Sequence, residues 1–177
     1  GIRNRYNATG YLEAIEDLAT GTLLQRTLGL DSRGNVVAAA IGNGAPSTWQ
    51  YDAGSGLLLD HTTSLGKTML QKLTYGWDVL GNQSSRWDRG LLSPFGVKNL
   101  QNSYCYDTLN RLLKTHQGSL NGSCSLSAAQ QDQEYDSFGN ITRKAGVGIY
   151  TYSDTRPRQL RSSGDGVSYV FDAVGNM

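Results

Sequence analysis

The chain has 177 residues, which is the length of one ordinary domain. Its 16 lysines and arginines and 15 aspartates and glutamates leave a formal net charge of +1, which excludes the basic footprint of a protein that binds nucleic acid or an anionic membrane. The longest uncharged apolar run, Val36–Ile41, is far shorter than the roughly 20 residues of a membrane-spanning helix. No signal peptide opens the numbered chain.

A turn motif recurs along the chain: an aspartate, two variable residues, glycine, asparagine and usually an apolar residue. Close copies start at Asp31, Asp78, Asp107, Asp136 and Asp172, and looser copies start at Asn7, Asp17 and Asp52. The first side chain can accept a hydrogen bond from the backbone two residues on, and the glycine suits a type I turn followed by a left-handed residue. Asparagine tolerates that conformation next best, which explains Asn110. We expect valine to be less tolerated at Gly34, Gly81 and Gly139 than at Gly118.

The residues that precede the turns alternate as in half-buried strands. Examples are Tyr104-Cys105-Tyr106, Tyr150-Thr151-Tyr152 and Tyr169-Val170-Phe171. With 22 glycines and ten tyrosines spread over the chain, this pattern predicts an all-β fold of consecutive antiparallel hairpins. Outside the strands, we expect a loop over residues 87–98, one helical turn over residues 99–103 and two helical turns over residues 127–133.

The two cysteines, Cys105 and Cys124, leave two alternatives open. A disulfide would close a loop of roughly 20 residues and add about 3 kcal/mol in the chain-entropy model. One pair is too few to indicate a disulfide framework, so we favour two reduced thiols, with Cys105 facing away from its neighbouring tyrosines. No Cys-x-x-Cys motif or His/Cys cluster indicates zinc.

Three other features could in principle bind a ligand or catalyse a reaction. Gly42-Asn43-Gly44 resembles the start of a dinucleotide-binding loop, but Pro46 follows and the third glycine is missing. His61 and His116 have no nucleophile motif nearby. Each turn offers a single carboxylate, whereas calcium sites gather several. We therefore predict no enzymatic activity, no cofactor, and no catalytic, cofactor-binding or metal-binding residue.

The aromatic residues leave one alternative function. Trp49, Trp77, Trp87 and the tyrosines could stack on sugars, although aromatics at strand spacing more often pack inside a protein. A row of exposed rings would favour a carbohydrate-binding or adhesion module, and buried rings would favour a structural role.

The repeated units resemble those of the YD-repeat (Rhs) family. The resemblance rests on Tyr104-Cys105-Tyr106-Asp107-Thr108-Leu109-Asn110-Arg111-Leu112, Gln133-Glu134-Tyr135-Asp136-Ser137-Phe138-Gly139-Asn140-Ile141 and Tyr169-Val170-Phe171-Asp172-Ala173-Val174-Gly175-Asn176-Met177. The family includes bacterial Rhs proteins, the C components of insecticidal toxin complexes and teneurins. It implies a curved strip of β-sheet that winds into a hollow shell, which encloses a C-terminal toxic domain or displays adhesion surfaces.

Taken with this resemblance, residues 1–177 are expected to be one segment of about eight irregular units from a larger chain. Its expected role is a non-catalytic part of a β-shell that encloses or displays a toxin or effector domain, in a secreted or bacterial cell-surface protein. Self-cleavage is not implied, because no Asp-Pro-x-Gly-Arg motif is present. The expected partner is the enclosed domain, with a cell-surface glycan as the alternative. Because a fragment leaves sheet edges unpaired, we also expect edge-to-edge self-association, which light scattering would detect.

Overall fold

A computed structural model of the chain describes residues 1–42, 44–92, 96–119, 124 and 131–177. The described residues form antiparallel strands and turns, and no helix occurs among them. The predicted fold class, consecutive antiparallel β-hairpins, is therefore confirmed. None of these residues belongs to a helix long and apolar enough to span a membrane. The chain divides into two compact units, Gly1–Gln101 and Asn102–Met177.

The first unit is a ladder of strands that pair in chain order. From β1 to β8, each strand pairs antiparallel with the next. The strands are β1 (Ile2–Tyr6), β2 (Leu12–Asp17), β3 (Leu23–Leu30), β4 (Val36–Ile41), β5 (Ala45–Tyr51), β6 (Leu58–Leu65), β7 (Thr68–Trp77), β8 (Gln83–Leu92) and the beginning of β9 (Gly96–Tyr106).

The second unit continues with shorter strands. The end of β9 pairs with β10 (Leu112–Gln117), which pairs with β11 (Gln131–Tyr135). β11 pairs with β12 (Ile141–Lys144), and β12 pairs with β13 (Gly148–Ile149). A separate two-stranded sheet joins β14 (Thr151–Tyr152) to β15 (Leu160–Ser162).

The helix and loop predictions around β8 and β9 are wrong. Residues 99–103 lie in β9, and the predicted loop over residues 87–98 is occupied by β8 and β9 on either side of residues 93–95, which lie outside the described part. Gly90 reads as a loop residue in the sequence, yet a Cβ built on it would lie 2.4 Å from the carbonyl oxygen of Leu70. The glycine therefore allows β8 and β7 to approach closely. Of the predicted helix over residues 127–133, only residues 131–133 are described, and they belong to β11.

The prediction of reduced thiols is also wrong. Cys105 and Cys124 form a disulfide, with their Cα atoms 5.7 Å apart. Cys105 is buried, whereas Tyr104 and Tyr106 beside it are half-buried, so the predicted alternation along β9 is correct. The distance between the two Cα atoms falls in the range that a disulfide requires. The sequence pattern does not specify this distance, because it depends on the position of Cys124 after β10.

Few apolar side chains are deeply buried in the described part of the chain. They are Ala14, Ala39, Ala45, Leu73 and Cys105. Most strand residues are half-buried instead. The sheets are therefore held mainly by backbone pairing and by side chains that connect neighbouring hairpins, rather than by a thick hydrophobic core.

Candidate functional site

The edge that carries the repeated turns is the most regular feature of the first unit. The turns that begin at Asn7, Asp31, Asp52 and Asp78 follow β1, β3, β5 and β7, so they lie on one edge of the antiparallel sheet. The turn at Asp17 follows β2 and lies on the opposite edge. The four starts on the shared edge are 24, 21 and 26 residues apart, which corresponds to one two-stranded hairpin for each turn.

The turn at Asp31 shows how the motif folds. One carboxylate oxygen, Oδ1, accepts hydrogen bonds from the backbone N–H groups of Arg33 and Asn35, both at 2.9 Å. The other oxygen, Oδ2, accepts a bond of 3.0 Å from the side-chain amide of Asn35. The N–H of Gly34 donates to the Asp31 carbonyl at 3.1 Å, and Gly34 has φ +84°. The predicted type I turn with a left-handed fourth residue is thus confirmed.

The same bonds recur in the later turns. Asp78, Asp136 and Asp172 bond in the same way to Asn82, Asn140 and Asn176. In the turn at Asp107, the guanidinium of Arg111 replaces the asparagine amide, with Nε 2.6 Å from Asp107 Oδ2. Asn110 has φ +60°, as expected for its substitution for glycine. The sequence motif included the asparagine at the fifth position, but the bond from its side chain to the aspartate was not predicted.

These bonds lower the pKa of the turn carboxylates. In Asp78, the amide of Asn82 is the largest cause, and together with backbone N–H groups it outweighs the opposing effect of burial. The pKa of Asp31 is lowered in the same way by Asn35. The charged form of each carboxylate is therefore the form that closes the turn.

We expect the protein to lose stability in acid because of these turns. A carboxylate with a lowered folded pKa contributes its stability above the ordinary value of 3.8 and loses it as the pH falls through the folded value. Urea unfolding at pH 7, 5 and 3 should show little change between the first two and a clear loss at pH 3. Asp78→Asn should reduce this loss, because Asn7 shows that an amide oxygen can accept the same two backbone bonds, at 3.0 and 2.9 Å.

The control for that experiment is Asp154→Asn, since the side chain of Asp154 is 96% exposed. The Asp154 variant should keep the acid sensitivity of the wild-type chain. If the free energy of unfolding is the same at pH 3 and pH 7, the turn carboxylates do not have the role assigned to them.

Aromatic side chains connect four of the hairpins to an earlier hairpin. In each case, the aromatic residue is the last residue of the strand before a turn. Its side-chain O–H or N–H donates to a backbone carbonyl of an earlier strand, at the first residue after the previous turn. The bonds are Tyr51 to Val36 (3.3 Å), Trp77 to Leu58 (2.8 Å), Tyr135 to Leu112 (2.8 Å) and Tyr152 to Ile141 (2.9 Å). The aromatic residue before the turn therefore has a hydrogen-bonding role in addition to its packing.

Replacing Tyr135 by phenylalanine tests this role. The ring remains, but the bond to Leu112 is lost, so we expect the free energy of unfolding to fall by about 0.5–1.5 kcal/mol. Tyr104→Phe is the matched control, because the Tyr104 hydroxyl has no partner among the described residues. Urea denaturation should show almost no change for the control. Equal losses in both variants would contradict a specific hairpin-to-hairpin bond.

The histidine candidates lie in strands. His61 in β6 stacks on Trp49 with ring centroids 4.7 Å apart, and burial lowers the pKa of His61. Its Nε2 atom lies 3.3 Å from Thr63 Oγ1, which lies 2.7 Å from the buried hydroxyl of Ser47. The hydroxyl within hydrogen-bonding distance of His61 thus belongs to a half-buried threonine on the same strand, and the Ser47 residue beyond it is 1% exposed. His116 lies in β10 opposite Ser103.

The other candidates also occupy structural positions. Gly42 and Gly44 have positive φ angles in the connection between β4 and β5, and Asn43 lies outside the described residues. No strand-to-helix turn of the dinucleotide-binding type forms at this point. Within the described ranges, no group of three His, Cys, Asp or Glu side chains is arranged to hold a metal ion.

Between successive turns, a side chain often crosses from one turn to the next. Tyr11 lies against Gly34, where a Cβ would be 2.8 Å from the tyrosine ring. Arg33 donates to the carbonyls of Ala53 and Gly54 at 2.7 and 3.1 Å. Arg111 donates to the carbonyl of Asp136 at 3.1 Å. These side chains fill the spaces between turns and tie neighbouring turns together.

One space of this kind in the first unit is open. A cleft of about 530 Å³ separates the turn after β5 from the turn after β7. Its apolar lining includes Leu57, Leu59 and the ring pair Tyr75 and Trp77, whose centroids are 6.4 Å apart. Asp52, Ser55 and Asp78 add polar groups to the lining. The hydroxyl of Tyr75 has no partner among the described residues.

The three tryptophans do not form a row of exposed rings. All are half-buried. Trp49 stacks on His61, and the ring of Trp87 is covered on one side by the guanidinium of Arg89 at 4.1 Å. Of the three, Trp77 is the one that lines the open cleft of the first unit.

Comparisons with known proteins give a limited result. No family model and no curated protein matches the chain. Among solved structures, a chain in the TcdB2-TccC3-Cdc42 crystal structure is similar at 15% identity and a TM-score of 0.33. A chain in the TcdB2-TccC3 crystal structure is similar at 16% identity and a TM-score of 0.30. Each match covers 99% of this chain and 14% of the other, and these scores are too low to establish a common family or function.

Proposed function

We propose that the chain is a non-catalytic wall segment of a YD-repeat (Rhs-type) β-shell, which encloses or displays a toxin or effector domain of a longer, secreted or cell-surface protein. The observation that carries the proposal is the turn chemistry that is repeated within each of the two units. The turns at Asp31 and Asp78 use the same carboxylate bonds, and so do those at Asp136 and Asp172. Such repetition extends a sheet hairpin by hairpin, which is what a wall requires.

The way the hairpins are held together also supports a wall. Four bonds, made by Tyr51, Trp77, Tyr135 and Tyr152, each connect a hairpin to an earlier one. Because only five apolar residues are deeply buried in the described part of the chain, the sheet faces keep half-exposed surface for contact with other parts of a larger protein. Because the net charge of the chain is only +1, the wall would neither strongly attract nor strongly repel an enclosed domain, whatever the charge of that domain.

The test uses the parent protein. Its reading frame should continue into a toxin-like domain if the shell encloses a cargo, and into adhesion modules if the shell displays one. For an enclosed cargo, proteinase K should leave the downstream domain intact in the wild-type protein and in the Gly54→Ala control, but digest it when Gly34 and Gly81 are both replaced by valine. Equal digestion of the downstream domain in all three proteins would overturn enclosure.

A second candidate function is carbohydrate binding at the open cleft of the first unit. The paired rings of Tyr75 and Trp77 lie with carboxylates in the lining of the cleft, and the Tyr75 hydroxyl has no partner in the described part of the chain. These features favour this function. On a glycan array, micromolar binding to one sugar class should be lost in Tyr75→Ala and kept in Tyr6→Ala, because Tyr6 is a 60% exposed aromatic residue outside the cleft. No reproducible binding, or equal binding by both variants, would exclude this site.

A further inference from the structure

The second unit has its own open cleft between two turns. It has a volume of about 620 Å³ and lies where the turn at Asp136 faces the turn at Asp172. Two aromatic rings, Phe138 and Phe171, and two cationic residues, Arg156 and Arg158, line it together with Pro157 and Gly175. At Gly175 a Cβ would meet no atom within 4 Å, so no side chain packs against this glycine as Tyr11 packs against Gly34.

The loop that carries the two arginines is held in place by backbone bonds. The N–H of Ser153 donates to the carbonyl of Gln159 at 2.9 Å, and the N–H of Gln159 donates to the carbonyl of Arg156 at 2.8 Å. The side-chain amide of Asn140 donates to the carbonyl of Pro157 at 2.8 Å, which fixes the loop to the turn at Asp136. The backbone at the two arginines is therefore ordered before any ligand binds, which lowers the entropy cost of binding.

The cleft carries two positive charges, those of Arg156 and Arg158. Among the described residues, neither the guanidinium of Arg156 nor that of Arg158 has a hydrogen-bond or ion-pair partner, and both residues are exposed. The nearest turn carboxylates, Asp136 and Asp172, already accept bonds from their own turns. A ligand with carboxylates would satisfy the arginines, because guanidinium groups bind carboxylates in a bidentate manner.

The apolar part of the cleft indicates what must accompany those carboxylates. Phe138 is 58% exposed at the third position of its turn. The turns at Asp78, Asp107 and Asp172 carry exposed aliphatic residues at this position, so the aromatic ring distinguishes the turn at Asp136. An exposed aromatic ring beside unpaired arginines matches a polypeptide in which acidic and large apolar side chains alternate. We propose that this cleft binds such an acidic, aromatic peptide segment, supplied by the domain that the shell encloses or displays. This inference rests on the proposed function and names the chemistry of the contact.

Fluorescence anisotropy with the full 177-residue chain tests the proposal. The probe is a fluorescein-labelled peptide, Gly-Glu-Phe-Glu-Leu-Gly. Two comparison peptides replace either both glutamates by glutamine or both apolar residues by alanine. We expect saturable binding of the first peptide, at least about tenfold weaker binding of the other two, and weaker binding at 0.5 M than at 0.05 M salt.

Variants separate the cleft from general electrostatic attraction. The double variant Arg156→Gln and Arg158→Gln should weaken binding at least about tenfold, and Phe138→Ser should weaken it several-fold. The matched controls are Arg161→Gln, an arginine outside the cleft whose side chain is 65% exposed, and Leu109→Ser, which is 69% exposed at the same position of another turn. Both controls should bind as the wild-type chain does, and circular dichroism should show all variants folded.

Three results would overturn the inference: no binding, equal binding of the three peptides, or an equal loss in the control and cleft variants. The proteinase K experiment is independent of this cleft. If the peptide fails to bind while the downstream domain remains protected, the peptide site fails and the wall function stands. If the peptide binds but the domain is not protected, enclosure fails and the cleft remains a peptide site.

Discussion

Replacing Gly34 by valine is expected to lower the free energy of unfolding by on the order of 3 kcal/mol, from backbone strain and overpacking together. Gly34 has φ +84°, a conformation that a β-branched residue adopts only with strain. A Cβ at this position would also lie 2.8 Å from the ring of Tyr11, which fills the space between this turn and the previous one. Urea unfolding measures the loss.

A graded series of variants separates strain from crowding. Gly81→Val and Gly139→Val should cost on the order of 1–3 kcal/mol, because both glycines have positive φ but no atom lies within 4 Å of their Cβ positions. Gly54→Ala is the control, since Gly54 lies in a turn without a positive φ and its Cβ would make only an ordinary contact with Asp52. If Gly54→Ala destabilises the chain as much as Gly34→Val, the turn assignment is wrong.

Gly118 does not serve as the tolerant position that its irregular sequence context suggested. It has φ +115°, so valine is strained there as well. The sequence around Gly118 lacks the turn motif, and the strain at this position comes from the path that the chain takes after β10.

Reduction of the disulfide is the second large effect. We expect no free thiols when the unfolded, unreduced protein is titrated, and a loss of about 3 kcal/mol in the free energy of unfolding after reduction. The bond joins positions 19 residues apart, so its removal restores considerable freedom to the unfolded chain. Urea denaturation with and without reductant measures the difference.

Cys124→Ala is the matched variant for the disulfide. It removes the bond and keeps the buried Cys105, which is 3% exposed, so no new polar group is placed in the sheet. Its stability should equal that of the reduced wild-type chain and should not change with reductant. Two free thiols in the unreduced wild-type protein would contradict the bond.

The turns and the fold class could be predicted from the amino-acid sequence. The spacing of aspartate, glycine and asparagine specifies local bonds within five residues, so it predicted the left-handed positions at Gly34, Gly81, Gly139 and even Asn110. The alternation of Tyr104, Cys105 and Tyr106 likewise predicted the strand at the end of β9. These features depend on local backbone chemistry, which short sequence patterns encode.

Features that depend on contacts between distant residues could not be predicted in this way. The residues before Gly90 form a strand because they pair with β7. Cys124 lies beside Cys105 although 19 positions separate them in the chain. The strand register places Tyr135 beside Leu112. The two open clefts were equally invisible, because each lies between turns that are far apart in the chain. The physical reason is that strand pairing brings together residues whose separation varies with the length of each hairpin, and a local motif does not record that length.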